Sequence, residues 1–113
     1  LGMMKAAGLT AVLDFDAVPV LDDVYDLAAA GIIPGGSRSN HAYTKLYVSY
    51  AEKLTEIQQI ILNDAQTSGG LLIALGSDQV KSMIASLQKE GIPAVEIGAL
   101  VEKKDSNYIR VNE

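Results

Sequence analysis

The sequence predicts an α/β or α+β domain in which helices cover a mixed β-sheet. Three observations carry that prediction. Segments with helical spacing of apolar residues alternate with short apolar or β-branched runs, the pattern of helices laid on a sheet. The composition is globular, with 49% hydrophobic and 20% charged residues. The length, 113 residues, suits one domain and leaves no room for a second. Aromatic residues are only 5% and tryptophan is absent, so the core has to be aliphatic.

The elements follow in order. Residues 1–8 read as the last turns of a helix: Met3, Met4 and Ala7 share a face, and Gly8 followed by Leu9 suits a C-terminal cap. Thr10–Asp16 reads as a strand broken by Pro19. Asp22 is placed to cap a second helix with Val24, Leu27 and Ala28 as its apolar stripe and Gly31 as its stop. Residues 32–40 read as a loop, and 43–50 as a short extended piece. Thr55 and Gln58 have capping-box spacing, which predicts a helix to about Asn63 despite its β-branched run. Leu71–Leu75 is a continuous apolar run between turn signals and reads as a central strand buried on both faces. Ser77 or Asp78 caps the clearest helix, whose Val80, Met83, Ile84 and Leu87 fall at i, i+3, i+4 and i+7. Gly91-Ile92-Pro93 stops it. Ala94–Val101 and Tyr108–Val111 then read as strands, most simply a hairpin across a charged turn.

Several function classes drop out. With no cysteine there is no disulfide, no thiol nucleophile and no cysteine zinc site. His41 is the only histidine and has no evident partner, so it reads as a surface residue. The formal charge is −5, and only Lys103 and Lys104 are adjacent basic residues, which argues against nucleic-acid binding. No apolar run of 18 residues is present to span a membrane, and the start is not a signal peptide. Asp14 and Asp16, two apart in a strand, face one side and suit either a Mg²⁺ site or a solvated strand end. Asp22, Asp23 and Asp26 are explained by the positive end of a helix. No triad, Walker loop, dinucleotide fingerprint or HExxH helix occurs. The chain opens without an initiator and in mid-helix, which predicts a piece of a longer protein.

Two glycine-rich segments remain. In Pro34-Gly35-Gly36-Ser37-Arg38-Ser39-Asn40, adjacent glycines permit unusual backbone angles, and Ser37, Arg38 and Asn40 offer donors beside free amides. The segment suits an anion site as well as a plain connection. In Gln66-Thr67-Ser68-Gly69-Gly70, two hydroxyls precede a glycine pair at the start of an apolar run. Glycines there imply that another backbone or a ligand comes close, either a phosphate-bearing ligand or a neighbouring domain.

These two segments carry a resemblance. Gln66-Thr67-Ser68-Gly69-Gly70-Leu71-Leu72 resembles the D-P-Q-T-S-G-G-L-L signature of selenophosphate synthetases (selenide, water dikinases). Pro34-Gly35-Gly36-Ser37-Arg38-Ser39-Asn40 is similar to that family's P-G-G-[ST]-x-x-N segment. Leu1–Gly8 resembles the end of the helix after its T-D-V-T-G-F-G-L-L-G-H segment. The likeness covers essentially the whole chain, and the seven-residue signature is specific. Ala65 departs from the family by replacing the usual proline, which predicts a more mobile loop.

The resemblance implies the C-terminal domain, residues 1–113, of an enzyme that converts selenide, ATP and water to selenophosphate, AMP and phosphate. The expected fold is then that of the aminoimidazole ribonucleotide synthetase-like C-terminal domains. The family's catalytic Cys or selenocysteine, its catalytic Lys and the carboxylates holding Mg²⁺ and ATP would lie in an N-terminal ATP-binding domain, so no residue here carries a catalytic or metal-ligating role. The fragment alone is expected to be inactive. Its implied partners are that domain and a second copy in a cytoplasmic homodimer. Gly35, Gly36, Ser37, Arg38 and Asn40, with Gln66, Thr67, Ser68, Gly69 and Gly70, are expected to face the cleft between the halves. Two alternatives stay open: another enzyme of the same superfamily, in hydrogenase maturation or purine synthesis, or a free-standing binding or oligomerisation module.

Overall fold

A computed structural model describes residues 1–113. The order is α1 (Gly2–Ala7), β1 (Leu9–Asp14), a 3-10 turn (Phe15–Ala17), α2 (Val24–Ala29), α3 (Gly35–Thr44), β2 (Val48–Tyr50), α4 (Glu56–Ile61), α5 (Val80–Lys89), β3 (Gly98–Glu102) and β4 (Ile109–Asn112). The strands form one mixed sheet in the order β2-β4-β1-β3, with helices against it, as the alternating pattern predicts.

β1 is the hub of the sheet. It pairs antiparallel with β3, Leu9 opposite Glu102 and Leu13 opposite Gly98, and parallel with β4, Ala11 opposite Ile109. β4 also runs parallel to β2. The expected β3–β4 hairpin therefore does not form, because β1 lies between the two strands. Two contacts account for the separation. The Thr10 hydroxyl, with no exposed surface, donates to the Asn107 carbonyl at 2.9 Å and pins the start of β4 to β1. Tyr108 N–H donates to the Tyr47 carbonyl at 2.9 Å, committing the other edge of β4 to the β2 side. The turn is ordered locally: Asp105 accepts from Asn107 N–H and pairs with Arg110 at 2.6 Å, and these bonds hold its carboxyl below the usual range.

The core is small. Phe15, Leu54 and Val111 are buried together, with Val48, Tyr50, Ala51, Leu62 and Ile109 packed around them. Only nine residues are buried, and the radius of gyration of 14.8 Å exceeds the roughly 13 Å of a compact chain of this length. At the sheet edge Lys5 of α1 lies 3.7 Å from the centre of the Tyr47 ring, a cation–π contact that ties α1 to the turn before β2.

The helix boundaries show which local signals held. Gly8 caps α1 in the left-handed conformation at φ 66°, and Gly91 stops the chain after α5 at φ 75°. Thr55 and Gln58 form the full reciprocal capping box on α4. A Thr55→Ala variant should lose about 1 kcal/mol of stability, readable by chemical denaturation. Elsewhere the caps differ from expectation: α2 starts after Asp23, itself at φ 66°, and α5 after Gln79, neither with a side-chain cap bond. Asp14 caps the 3-10 turn through Asp16 N–H, and Asp16 lies in that turn, so the two are not a strand-face pair.

Two larger differences concern the glycine-rich segments. Residues 35–44 form helix α3 instead of a loop, and of the extended piece at 43–50 only Val48–Tyr50 is strand. Leu71–Leu75 is not a strand. Both edges of β1 and both edges of β4 are already taken, so the run has no place at the centre of the sheet. Leu71 is 92% exposed, and Leu72 and Ile73 are exposed beside it. The strand expected from Ala94 begins only at Gly98.

Candidate functional site

The first predicted segment lies against the residues that lead into the second. Their contact is built by one face of α3. Ser37, Asn40, His41 and Thr44 fall at i, i+3, i+4 and i+7, the spacing that aligns side chains along a helix. All four reach polar groups on α4 or on the stretch that leads from it into the second segment. Ser37 donates to Asp64 Oδ1 at 2.7 Å and accepts from Ala65 N–H at 3.0 Å. Asn40 Nδ2 donates to the Asn63 carbonyl at 3.1 Å. His41 Nε2 meets Gln59 Oε1 at 3.1 Å, and Thr44 Oγ1 donates to Asn63 Oδ1 at 2.6 Å. Asn63 in turn donates to the Tyr50 hydroxyl at 3.0 Å, which joins the network to β2.

The close approach explains one glycine. A Cβ on Gly36 would sit 2.9 Å from the Ala65 Cβ, tighter than two carbons tolerate. Gly35 and Gly36 are helical and need no unusual backbone angle, contrary to expectation; Gly36 is needed for space. Ser37 is 1% exposed with its hydroxyl spent inside the protein, and Asn40 is engaged with Asn63. Arg38 is exposed beside that face of α3, and its side chain makes no hydrogen bond or ion pair within the chain. His41 is half-buried with its ring edge-on to Tyr50 at 6.3 Å, and it has a partner in Gln59 that the sequence did not suggest.

Beyond Ala65 the character changes. Residues 66–75 make no hydrogen bond within the chain, and all of them except Leu75 are exposed. The amides of this stretch and the hydroxyls of Thr67 and Ser68 are uncommitted. At its start, Asp64 and Gln66 rim an open groove of about 490 Å³ walled by Val20, Val24, Leu27, Ile33 and Ile60. Nothing within the chain demands the second glycine of the pair: a Cβ on Gly70 would meet no atom within 4 Å, and its φ is ordinary. A Cβ on Gly69 would meet only the flexible end of Gln66.

The network was hidden in the sequence because it runs in polar residues. Scanning for i, i+3, i+4, i+7 in serine, asparagine, histidine and threonine would have found it. No group of three His, Cys, Asp or Glu side chains is gathered anywhere in a way that could hold a metal ion. No helix is long and apolar enough to cross a membrane.

A four-stranded mixed sheet covered by helices, with two neighbouring glycine-rich segments, defines an α+β domain. The family "AIR synthase related protein, C-terminal domain" matches residues 1–110, and the chain belongs to it. Among its relatives are proteins named selenide, water dikinase. That of Nitratidesulfovibrio vulgaris is 37% identical over 102 residues, 90% of this chain and 29% of that protein. That of Myxococcus xanthus is 40% identical over 87% of this chain and 28% of its own length. That of Shewanella baltica is 44% identical over 88% of this chain and 28% of its own. The chain thus spans less than a third of the length of these relatives.

Proposed function

We propose that this chain is the C-terminal domain of an enzyme that makes selenophosphate from selenide, ATP and water, with AMP and phosphate as the other products. In this reading it supplies one wall of a cleft shared with an N-terminal ATP-binding domain, in a cytoplasmic protein that works as a homodimer. ATP and Mg²⁺ are held by carboxylates of that other domain, and this chain supplies no metal ligand.

The observation that carries the reading is the stretch 66–75. It opens with Gln-Thr-Ser-Gly-Gly, continues as Leu-Leu-Ile, and spends none of its hydrogen-bonding capacity inside the chain. Backbone polar groups left open beside exposed leucines are expected where a further layer of protein or a ligand completes the structure. The start of α3 with exposed Arg38, the Thr67 and Ser68 hydroxyls, and the amides of 66–70 then offer donors to a polyphosphate or an anionic intermediate. Their part is to bind and orient anions, while covalent chemistry takes place on groups of the other domain. The similarity to proteins named selenide, water dikinase supports the choice of reaction.

The test compares the chain alone with the full-length protein that carries it. The full-length protein should form selenophosphate from selenide and ATP with release of AMP, followed by phosphorus NMR. The purified chain should neither hydrolyse ATP nor bind it tightly in calorimetry. Turnover of ATP by the chain on its own would overturn the assignment.

A further inference from the structure

We propose that the polar face of α3 is a positioning device for the Gln66–Gly70 loop, with Ser37 as its principal residue. The proposal rests on the reading that this loop faces a cleft, and it concerns what sets the loop's position there.

Residues 66–75 have no hydrogen bond within the chain, so no such bond along their length fixes their path. Their direction is therefore inherited from the last fixed residues before them, Asp64 and Ala65. Both are held by one atom: Ser37 Oγ gives its proton to Asp64 Oδ1 and takes the proton of Ala65 N–H. A hydroxyl has one donor and two acceptor sites, so this single group clamps a side chain and a backbone amide at once. Ser37 itself is 1% exposed, so the clamp is held from the buried side of α3 although Asp64 and Ala65 reach the surface. Asn40 and Thr44 repeat the tie one residue earlier, at the carbonyl and the side chain of Asn63. Gly36 lets the helix come close enough for these bonds to form. Ser37 and Asn40 therefore act through the loop and do not touch a ligand. Small errors in the placement of an anion-orienting loop are costly to rate, since reactive geometry tolerates displacements well under an ångström.

Three variants test this. Ser37→Ala should raise the hydrogen-exchange rate of the Ala65 amide at least about tenfold in the folded chain. In the full-length protein the same change should lower kcat for selenophosphate formation by about tenfold or more while KM for ATP stays within about threefold. Ser37→Thr keeps the hydroxyl and should restore both readouts. Asp64→Ala, at an exposed position, removes one partner without emptying a buried site and should lower kcat in the same way, which covers the case of Ser37→Ala failing to fold. Unchanged exchange at Ala65 would overturn the clamp. Faster exchange with unchanged kcat, in a protein that Gly70→Val inactivates, would overturn the positioning role while leaving the cleft reading intact. If Gly70→Val is silent as well, the cleft reading fails and the proposal falls with it.

Discussion

A Gly98→Val variant should lose on the order of 3 kcal/mol of stability, enough to unfold much of the population of a domain with so small a core. Gly98 sits opposite Leu13 where β3 meets the end of β1. A Cβ built there would run into the Val12 carbonyl oxygen and lie 2.9 Å from the Leu13 Cα. Both are backbone atoms of the central strand, so no rotamer change relieves the contact. β3 can accommodate a side chain only by lifting away from β1, and that breaks the Asp14 N–H bond to the Ile97 carbonyl at 2.9 Å as well as the ladder beyond it. Since β1 holds both β3 and β4, the damage spreads to the whole sheet. Gly98→Ala should already cost on the order of 2 kcal/mol by the same clash. Denaturant midpoints for the two variants measure this, and a Gly98→Val midpoint equal to that of the unaltered chain would refute the close approach.

Local chemistry was the legible part of this fold. Gly8 and Gly91 stop their helices, Thr55 and Gln58 close a capping box, and β1 and β4 appear near where their β-branched runs lie. What could not be read was settled by competition for partners. Leu71–Leu75 has the composition of a buried strand, yet the edges of β1 and β4 are filled by other strands, and an apolar run without an edge stays open. β3 and β4 do not form the expected hairpin because β1 lies between them, with the start of β4 tied to β1 through Thr10 and to Tyr47 on its other side. α3 was missed because two glycines and three serines and asparagines argue against a helix by propensity, while its stability comes from the polar ties of Ser37, Asn40, His41 and Thr44. The candidate site was legible as two motifs. That the first packs against the residues leading into the second, and that Ser37 and Asn40 are bonded within the protein while the Arg38 side chain is free, required the fold.

Gly70→Val should separate what the domain needs from what the assembled protein needs. Within the chain the substitution is nearly free. Space around Gly70 is open, its φ lies outside the left-handed region, and its neighbours make no bonds to lose. Thermal or chemical unfolding of the chain should therefore move by less than about 0.5 kcal/mol. In the full-length protein the same valine would stand between the loop's backbone and whatever lies against it. Anion recognition by bare amides fails when a branched side chain holds the ligand a few ångströms away, and selenophosphate formation should fall by about 100-fold or more. Lys104→Ala, an exposed change in the β3–β4 turn, should leave the rate near that of the unaltered protein. The contrast matters because a glycine with no steric or conformational reason inside its own domain has to be explained by something outside it. Equal activity of the Gly70→Val and Lys104→Ala proteins would remove that outside contact, and with it the role of Gln66–Gly70 as a cleft wall.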